Sequence, residues 1–403
     1  MRGLSNVEAA AVERSAAEPM LAQVEAWAAV NSGSHNLTGL SRVAGLLADA
    51  FAALPGEPSL REPAPVDSVT PSGERLAVQH GRNLHLAVRP GAPVQLLFTG
   101  HMDTVFAADH SFQDVFWRDE GVLGGPGVAD MKGGLAVLLA ALKSVEGSPL
   151  SASLGYEIVI NSDEEVGSPG SAPLIAQAAR GKRAALTYEP SALPDGTLAG
   201  ARPGSGNFSL IVAGRSAHAG RNPEDGRNAV LAAAELALRL AAAKSEGLSV
   251  NPARIDGGSP NNVVPDHAIL RINMRPSTLA DQARAQSALE KAIAEVAAER
   301  DVRINMHGGW GRPPKPVDPA AAKLFALVAG CGADLGQEIG RRDSGGVCDG
   351  NNIAACGVPV VDTMGVRGGA IHSDSEYLIV ESLAERARLS ALTILRLAQG
   401  EGL

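Results

Sequence analysis

Two mainly apolar runs on either side of an apolar helix constrain the fold of this chain more than any other feature. The runs are VQLLFT (Val94–Thr99) and YEIVIN (Tyr156–Asn161), and the helical segment LAVLLAALK lies between them, directly after Gly134. Strands that are apolar at every position are typical of parallel sheets covered on both faces. A strand, a helix and a second strand of this size form a βαβ unit. The sequence therefore predicts an α/β fold, with an open, mostly parallel sheet flanked by helices.

The rhythm of the sequence changes after about residue 200. Predicted strands and helices then follow in the order β-α-β-β-α-β, over Phe208–Gly214, Asn228–Ala243, Leu248–Gly258, His267–Arg275, Ala280–Arg300 and Asp301–His307. This order predicts a compact, ferredoxin-like α+β unit. Because a core strand is predicted again at Val358–Val366, the unit interrupts the first domain. We expect a discontinuous domain of residues 1–200 and 313–403, with an inserted domain of residues 201–312.

The remaining segments complete the prediction of secondary structure. Two helices are expected within Ala17–Ala53, the Pro-rich segment Pro55–Pro71 is expected to be a loop, and Val380–Gln399 is expected to be a closing helix. The segment ALTYEP (Ala185–Pro190) supplies one more strand end.

Composition excludes several classes of protein. The chain has 403 residues, a net charge of −9 and no basic run, which argues against a nucleic-acid partner. No segment reaches the roughly 18 uninterrupted apolar residues of a membrane span, and the N-terminus lacks a signal-peptide apolar run. The cysteines number three and form no CxxC pair, so a disulfide framework is not expected. We expect a cytoplasmic protein in a reducing compartment.

Histidines and acidic residues follow the predicted strands, which is where open α/β sheets place their sites. GHMDT follows VQLLFT and places His101 and Asp103 two residues apart. An extended backbone directs both side chains to the same side, so that His101 could bind a metal while Asp103 orients its ring. On this fragment alone, a capping turn is the more ordinary interpretation.

Two further motifs supply carboxylates. GPGVADMKGG places Asp130 in a glycine-rich loop before a helix, and SDEEVGS crowds Asp163, Glu164 and Glu165 at the end of YEIVIN. Like charges this close raise the pKa of a carboxylate unless a cation is nearby. A helix-capping aspartate and a solvated acidic turn are the ordinary alternatives. The functional hypothesis gives adjacent carboxylates different tasks, one binding metal and the other accepting a proton from water.

Two weaker motifs complete the set. TYEP adds Glu189 and GGAIHSDSEY adds His372, and each alone is nearly uninformative. Together with the earlier motifs they give two histidines and three carboxylates, a set of nitrogen and oxygen ligands that suits zinc. One aspartate shared between two pairs, each with one histidine and one glutamate, is typical of two-metal hydrolases.

At this point the chain resembles the co-catalytic zinc exopeptidases, a family of aminoacylases, acetylornithine deacetylase, succinyl-diaminopimelate desuccinylase and bacterial glutamate carboxypeptidase. The resemblance runs in family order from Thr99 to Tyr377, through TGHMDT, GPGVADMKGG, SDEEVGSPGS, YEP, RSAHAG, GGSPNNVVPDHA and GGAIHSDSEY. It implies two zinc ions, for which cobalt or manganese can substitute. It also implies that the inserted domain is a lid that pairs two subunits into a homodimer.

The resemblance assigns roles by position. The implied zinc ligands are His101, Asp130, Glu165, Glu189 and His372. Asp130 is implied as the bridge, with His101 and Glu189 on one ion and Glu165 and His372 on the other.

Further roles are implied for residues that do not bind metal. Glu164 resembles the general base that activates water, and Asp103 resembles the residue that orients the first histidine. His218 is similar to a lid histidine that polarises the scissile carbonyl, often from the partner subunit. Asn262 and Arg275 resemble lid contacts to the substrate carboxylate, and a guanidinium matches a carboxylate bidentately.

The activity that these roles imply is hydrolysis of an amide bond next to a free α-carboxylate, by a hydroxide that bridges the zinc ions. The substrate would be a small peptide or an N-acyl amino acid, and the pattern is nearest the glutamate carboxypeptidase branch. One alternative is an N-deacylase of the acetylornithine or succinyl-diaminopimelate kind. Others are a single-metal amidase and a metal-free binding module on the same fold.

Overall fold

The computed structural model describes residues 2–402. Its helices are α1 (Asn6–Ala16), α2 (Met20–Ala28), α3 (Leu37–Phe51), α4 (Gly134–Glu146), α5 (Ala172–Ala179), α6 (Ala229–Ala241), α7 (Leu279–Arg300), α8 (Pro319–Asp334), α9 (Asp349–Ala355) and α10 (Glu381–Ala398). Its strands are β1 (Ser59–Arg61), β2 (Val66–Val69), β3 (Arg75–Val78), β4 (Asn83–Val88), β5 (Val94–His101), β6 (Phe116–Asp119), β7 (Val122–Gly124), β8 (Leu154–Asn161), β9 (Ala184–Thr187), β10 (Leu198–Ala199), β11 (Ser205–Ala213), β12 (Leu248–Gly257), β13 (His267–Pro276), β14 (Arg303–Arg312), β15 (Arg341–Arg342), β16 (Val360–Val361), β17 (Gly368–Gly369) and β18 (Tyr377–Ile379).

The predicted βαβ unit lies at the centre of a six-stranded sheet with the order β1-β4-β8-β5-β9-β16. Strand β5 is parallel to both β8 and β9, and β16 is parallel to β9. Only β4 and β1 run antiparallel to their neighbours. The mostly parallel sheet predicted from the apolar runs is confirmed.

Both faces of this sheet are covered, which is why its central strands carry apolar side chains on both faces. Leu96 and Phe98 of β5 belong to a large core that includes α4, α10 and the N-terminal helices. Leu97, between them, belongs to a second core with residues of α5 and α9. Since successive side chains of a strand point to opposite faces, one continuous run supplies both cores. The carboxyl ends of the central strands are thereby left as the open edge of this layer.

The middle of the chain forms a separate antiparallel sheet with the order β12-β13-β11-β14. Helices α6 and α7 pack on one face around a core of their own, so the order β-α-β-β-α-β is confirmed. We call this part the lid, and the face of its sheet without helices the open face. Its borders at residues 200 and 313 stay a prediction.

Two expectations about secondary structure were wrong, and one helix was missed. Pro55–Pro71 is not only a loop, because it contains β1 and β2. The prolines of this segment lie outside both strands. Strand β1 is an edge strand, and β2 pairs only with β3, in a hairpin that we call hairpin 66–78. Only two residues of the predicted strand Val358–Val366 pair, and α1 was not foreseen.

Among residues 2–402, no helix is both long and apolar enough to cross a bilayer.

Candidate metal and catalytic site

The carboxyl ends of three neighbouring strands place the predicted residues at one edge of the central sheet. His101 is the last residue of β5, Glu164 and Glu165 follow β8, and Glu189 follows β9. Because these strands are parallel and adjacent, residues that are far apart in sequence meet there. The sheet register therefore assembles most of the site.

Asp130 lies at the centre of the assembled residues. It is buried in an irregular turn directly before α4, and its peptide bond to Met131 is cis. Asp130 Oδ1 is 3.0 Å from His101 Nε2, and Asp130 Oδ2 is 3.3 Å from His372 Nε2. Its two carboxylate oxygens thus face two different histidines.

A glutamate accompanies each of these histidines. His101 Nε2 lies 3.6 Å from Glu189 Oε2, and His372 Nε2 lies 3.0 Å from Glu165 Oε2. The ligand atoms of His101, Asp130 and Glu165 all lie within 4.8 Å of one another. The structure therefore brings all five predicted ligands together, with one histidine and one glutamate on each side of the aspartate.

The two sides of Asp130 differ in exposure and support. The side chain of His101 is 1% exposed, whereas that of His372 is 52% exposed. His101 ends a central strand, but His372 lies in the loop between β17 and β18 with a φ of 62°, in the left-handed region. We call these the His101 side and the His372 side.

The ring of His101 is oriented by Asp103, although not in the way the sequence suggested. The nearest acceptor to His101 Nδ1 is the Asp103 carbonyl oxygen at 3.0 Å, and the carboxylate lies farther away at 3.4 Å. That carboxylate accepts hydrogen bonds from the backbone N–H groups of Glu164 and Glu165, both at 3.1 Å, and from the Ser34 hydroxyl at 2.8 Å. Asp103 therefore fixes the acidic loop after β8 as well as His101.

The carboxylates of the site carry strongly perturbed acidities. Burial, aided by the charge of Asp130, raises the pKa of Glu165 to about 8. Burial also raises the pKa of Glu189. The pKa of His372 rises to about 11 because Asp130 and Glu165 accept hydrogen bonds from it. Burial alone would lower the pKa of His101, but the charge of Glu189 and nearby carboxylate hydrogen bonds hold it well above its usual value. Without a cation, these groups hold protons to offset crowded negative charge.

Glu164, the predicted base, has surroundings that differ from those of the predicted carboxylate ligands. It is buried, and burial raises its pKa to about 7. Arg312 Nη2 lies 2.7 Å from Glu164 Oε1, but its well-aligned hydrogen bonds go to the Glu164 carbonyl oxygen at 3.0 Å and to Ser168 Oγ at 2.9 Å. The Oε1 atom of Glu164 consequently has no hydrogen-bond partner. The arginine therefore acts on the Glu164 carboxylate mainly through its charge, by an ion pair to Oε1.

The three lid residues do not share one location. Arg275 lines a cleft of about 950 Å³ together with Glu164, Glu165 and His372. His218 and Asn262 are exposed and lie together, since the Ala219 N–H donates to the Asn262 carbonyl oxygen at 2.9 Å. Neither of them lines this cleft. The structure therefore joins Arg275 to the predicted ligands and leaves the other pair on the lid surface.

Two functional residues were missed in the sequence. Arg312, beside Glu164, ends the last lid strand, and the only signal for it was its place before the Pro-rich segment. Glu376 is buried four residues after His372 and accepts hydrogen bonds from the loop that carries Asp130. It lies inside the motif GGAIHSDSEY, but nothing in its spacing pointed to a backbone partner.

The residues fit a pair of divalent cations. Imidazole nitrogens and carboxylate oxygens are the ligands that zinc takes in hydrolases. The buried carboxylates outnumber the histidines, and the raised pKa values of Glu164, Glu165 and Glu189 indicate that these groups retain protons when no cation is present. Cations bound between the carboxylates would replace those protons. The donor set and its symmetry about Asp130 thus match a two-metal centre better than a single ion.

Comparison with known proteins agrees with this geometry. A model described as "Peptidase family M20/M25/M40" matches residues 97–396. Carboxypeptidase G2 from Pseudomonas sp. (strain RS-16) is 29% identical over 326 residues, which cover 80% of this chain and 78% of the relative. A succinyl-diaminopimelate desuccinylase from Pseudomonas syringae pv. syringae (strain B728a) is 26% identical over 322 residues, covering 75% and 82%.

A solved structure shows the same fold. It is a protein from Bacillus subtilis described as a dinuclear metal-binding peptidase, and it superposes with a TM-score of 0.66 at 13% identity. The superposition covers 94% of this chain and 98% of that chain.

Proposed function

This chain belongs to peptidase family M20/M25/M40 and is a hydrolase, and on that premise we propose that it cleaves an amide bond next to a free α-carboxylate with two zinc ions. The substrate is a small peptide or an N-acyl amino acid. The observation that carries the proposal is the position of Asp130 between two histidine–glutamate pairs.

The proposed metal ligands divide along this geometry. Asp130 holds both ions, His101 and Glu189 hold one, and Glu165 and His372 hold the other. Two zinc ions so placed supply Lewis acidity and lower the pKa of a bound water toward about 7. Cobalt and manganese accept the same ligands, and the description of the Bacillus subtilis structure as dinuclear supports two ions rather than one.

The protein's own groups complete the reaction. Glu164 accepts the proton of the attacking water and delivers it to the leaving amine. Arg312 holds the Glu164 carboxylate beside the metal ligands, and Asp103 holds the loop that carries both glutamates. Arg275, in the same cleft, binds the α-carboxylate of the released amino acid.

The lid supplies the remaining groups across a dimer interface. His218 and Asn262 are exposed on the lid and lie outside the cleft of their own subunit. A homodimer formed through the lid would bring them to the partner's site, where His218 polarises the scissile carbonyl and Asn262 contacts the substrate carboxylate. The exposed side chains of Leu231 and Leu238 on α6 support such an interface. A monomer that is fully active by light scattering and activity assay would contradict it.

The relatives indicate which amino acid and acyl group to test. The likeness to carboxypeptidase G2 favours a carboxypeptidase. The resemblance of the motifs to the glutamate carboxypeptidase branch makes C-terminal glutamate and aspartate the first residues to test. The likeness to succinyl-diaminopimelate desuccinylases keeps a deacylase of that kind as the second candidate. A panel of N-acyl glutamates and aspartates, acetylornithine and succinyl-diaminopimelate separates the two. We also propose a reducing, cytoplasmic location for the protein, because its three cysteines are free.

The variant Glu164→Gln tests the proposal. Since Glu164 is assigned as base and not as ligand, we expect kcat to fall by at least about a hundredfold to a thousandfold, while two zinc ions per chain remain by elemental analysis. Because the ligand atoms of Glu164 also lie within 4.8 Å of those of His101 and Glu189, loss of one zinc ion would instead make Glu164 a ligand. Near-normal kcat would remove it as the base.

A further inference from the structure

A second space adjoins the catalytic cleft. It is a cavity of about 500 Å³ enclosed by hairpin 66–78, the open face of the lid and the loop after β8. Val166, Pro169, Asn207 and Asn273 line both this cavity and the cleft, so the two spaces are continuous. We call it the hairpin cavity, and its volume lies in the range of small-molecule sites.

Hairpin 66–78 forms a wall that is fixed to the lid. Asp67 Oδ1 lies 2.9 Å from His307 Nε2, and Arg271 donates to the carbonyl oxygen of Val69 at 2.9 Å. Most of the exposed lining is apolar, and Val66, Val69, Val78, Val166 and Pro169 contribute to it, whereas Asp67 and Ser68 are the polar lining residues of the hairpin. The cavity is thus a largely apolar space beside a polar cleft, and contacts with the lid fix the position of its hairpin wall.

The open face of β13 sets the direction from one space to the other. Arg275, Asn273 and Arg271 alternate along it, with Arg275 in the cleft, Asn273 in both spaces and Arg271 in the cavity. With the α-carboxylate at Arg275 and the scissile carbonyl at the proposed ligands, the acyl group would extend past Val166 and Asn273, which line both spaces, and Val166 directly follows Glu165. We infer that the hairpin cavity binds the acyl group of the substrate, and that this group is bulky and mainly apolar. This inference rests on the proposed function.

Matched substrates and variants test the inference. We compare the N-octanoyl and N-acetyl derivatives of the amino acid that the wild type releases fastest in the panel. The wild type should show a kcat/KM at least about tenfold higher for the octanoyl compound, because extra methylene groups gain binding in an apolar pocket. Val78→Trp and, from the lid side, Ser209→Phe fill the cavity and should remove this preference while leaving N-acetyl hydrolysis within about twofold. Leu76→Trp is the control, because Leu76 is 53% exposed and does not line the cavity.

Two results would overturn the inference. One is a wild type with no preference for the octanoyl compound, and the other is an equal loss on both substrates in Val78→Trp and Ser209→Phe. In both cases hydrolysis of the N-acetyl compound by the wild type would still support the proposed function. Failure to hydrolyse any N-acyl amino acid would instead remove the proposed function itself.

A different observation concerns how the proposed ligands are held in register. The buried Glu376 carboxylate accepts hydrogen bonds from three backbone N–H groups of the loop that carries Asp130, those of Gly127 at 3.2 Å and of Ala129 and Asp130 at 3.0 Å. Glu376 lies four residues after His372, on the same loop. One side chain therefore links two chain segments that each contribute a proposed ligand.

The geometry points to Glu376 as a positioning residue for the metal centre. Its contacts hold the Asp130 loop against the loop of His372, so that the two oxygens of Asp130 face both histidines. Outer hydrogen bonds of this kind typically change metal affinity by about tenfold to a hundredfold. Glu376 is not one of the five proposed ligands and does not line the cleft, so its proposed role is to fix the distance between the ligands.

Spectroscopy on Glu376→Gln separates positioning from folding. We expect zinc affinity, from chelator competition, to fall by at least about tenfold, and the visible spectrum of the cobalt-loaded variant to differ from that of the wild type. Glu381→Gln, on the exposed first turn of α10, is the control and should change neither. A cobalt spectrum of wild-type shape together with unchanged zinc affinity would overturn the inference. The inference would also be overturned if the cobalt spectrum kept its wild-type shape and lost intensity only in proportion to a lower melting temperature. That result would indicate a purely structural role.

Discussion

The two sides of Asp130 use the same ligand types but are built differently. On the His101 side, the histidine ends a central strand, is 1% exposed and is oriented through its second nitrogen by the Asp103 carbonyl oxygen at 3.0 Å. On the His372 side, the histidine is 52% exposed, and it lies in a loop. Two sites with the same ligand types can therefore differ in solvent exposure and in the rigidity of their ligands. We expect the ion on the His101 side to bind more tightly and to exchange more slowly.

The largest effect is expected where the two sides meet. Asp130→Ala removes the ligand shared by both ions, so both should be lost and kcat/KM should fall by at least about a thousandfold. Elemental analysis and a substrate assay check this. If one ion per chain remained bound to Asp130→Ala, Asp130 would not be the bridge, and the two sides would be independent sites.

A matched pair of variants should separate the sides. His101→Ala removes a buried partner of several carboxylates, so it should lower the free energy of unfolding of the metal-free protein by about 1–3 kcal/mol as well as release metal. His372→Ala, at a half-exposed position, should release one ion and destabilise the metal-free protein less than His101→Ala does, because solvent screens the contacts of His372 with Asp130 and Glu165. Calorimetry of both metal-free variants checks this, and equal destabilisation would contradict the comparison.

Acidification should weaken metal binding, with the proton as the competitor. A histidine must be neutral to bind metal, yet the hydrogen bonds to Asp130 and Glu165 raise the pKa of metal-free His372 to about 11. The imidazole is therefore protonated at pH 8 before metal binds, and zinc uptake should release protons. Zinc affinity should therefore rise as the pH increases toward the pKa of His372, about 11, and fall as the pH is lowered. Titration calorimetry in two buffers of different ionisation enthalpy measures this release, and uptake without any release would contradict the assignment.

The smallest effect is expected for the support of the His101 side. Asp103→Asn keeps the carbonyl contact to His101 but weakens the acceptor of the Glu164 and Glu165 N–H groups, so zinc affinity should fall by about tenfold. Ser373→Ala, next to His372, should stay within about twofold, because Ser373 donates only to the Ala370 carbonyl oxygen. Chelator competition checks both. An equal loss in the two variants would show that the His372 side is supported as well as the other.

Sequence reasoning located the proposed ligands because the family resemblance assigned them by position, and some of them also follow recognisable strands. His101 and Glu189 lie at the ends of apolar strands, and the register of parallel strands brings such ends together. The same reasoning gave the βαβ unit and the lid order. It misjudged the Asp103 contact, because the chain places the carbonyl oxygen nearer to His101 than the carboxylate, and no residue pattern encodes that choice.

Other parts of the site depend on long-range contacts that no local pattern reports. Glu376 acts on backbone N–H groups about 250 positions away in sequence, whose direction follows from an irregular turn. The wall of hairpin 66–78 depends on a contact between Asp67 and His307. His218 and Asn262 lie outside the cleft of their own subunit, and the partner subunit proposed to receive them is not encoded in any motif of one chain.

Anomalous X-ray diffraction from crystals of the zinc-loaded protein tests the central claim most directly. The account predicts two zinc peaks in each subunit, one between His101 and Glu189 and the other between His372 and Glu165, with Asp130 touching both. A single peak, or peaks that leave Asp130 without a metal contact, would contradict it.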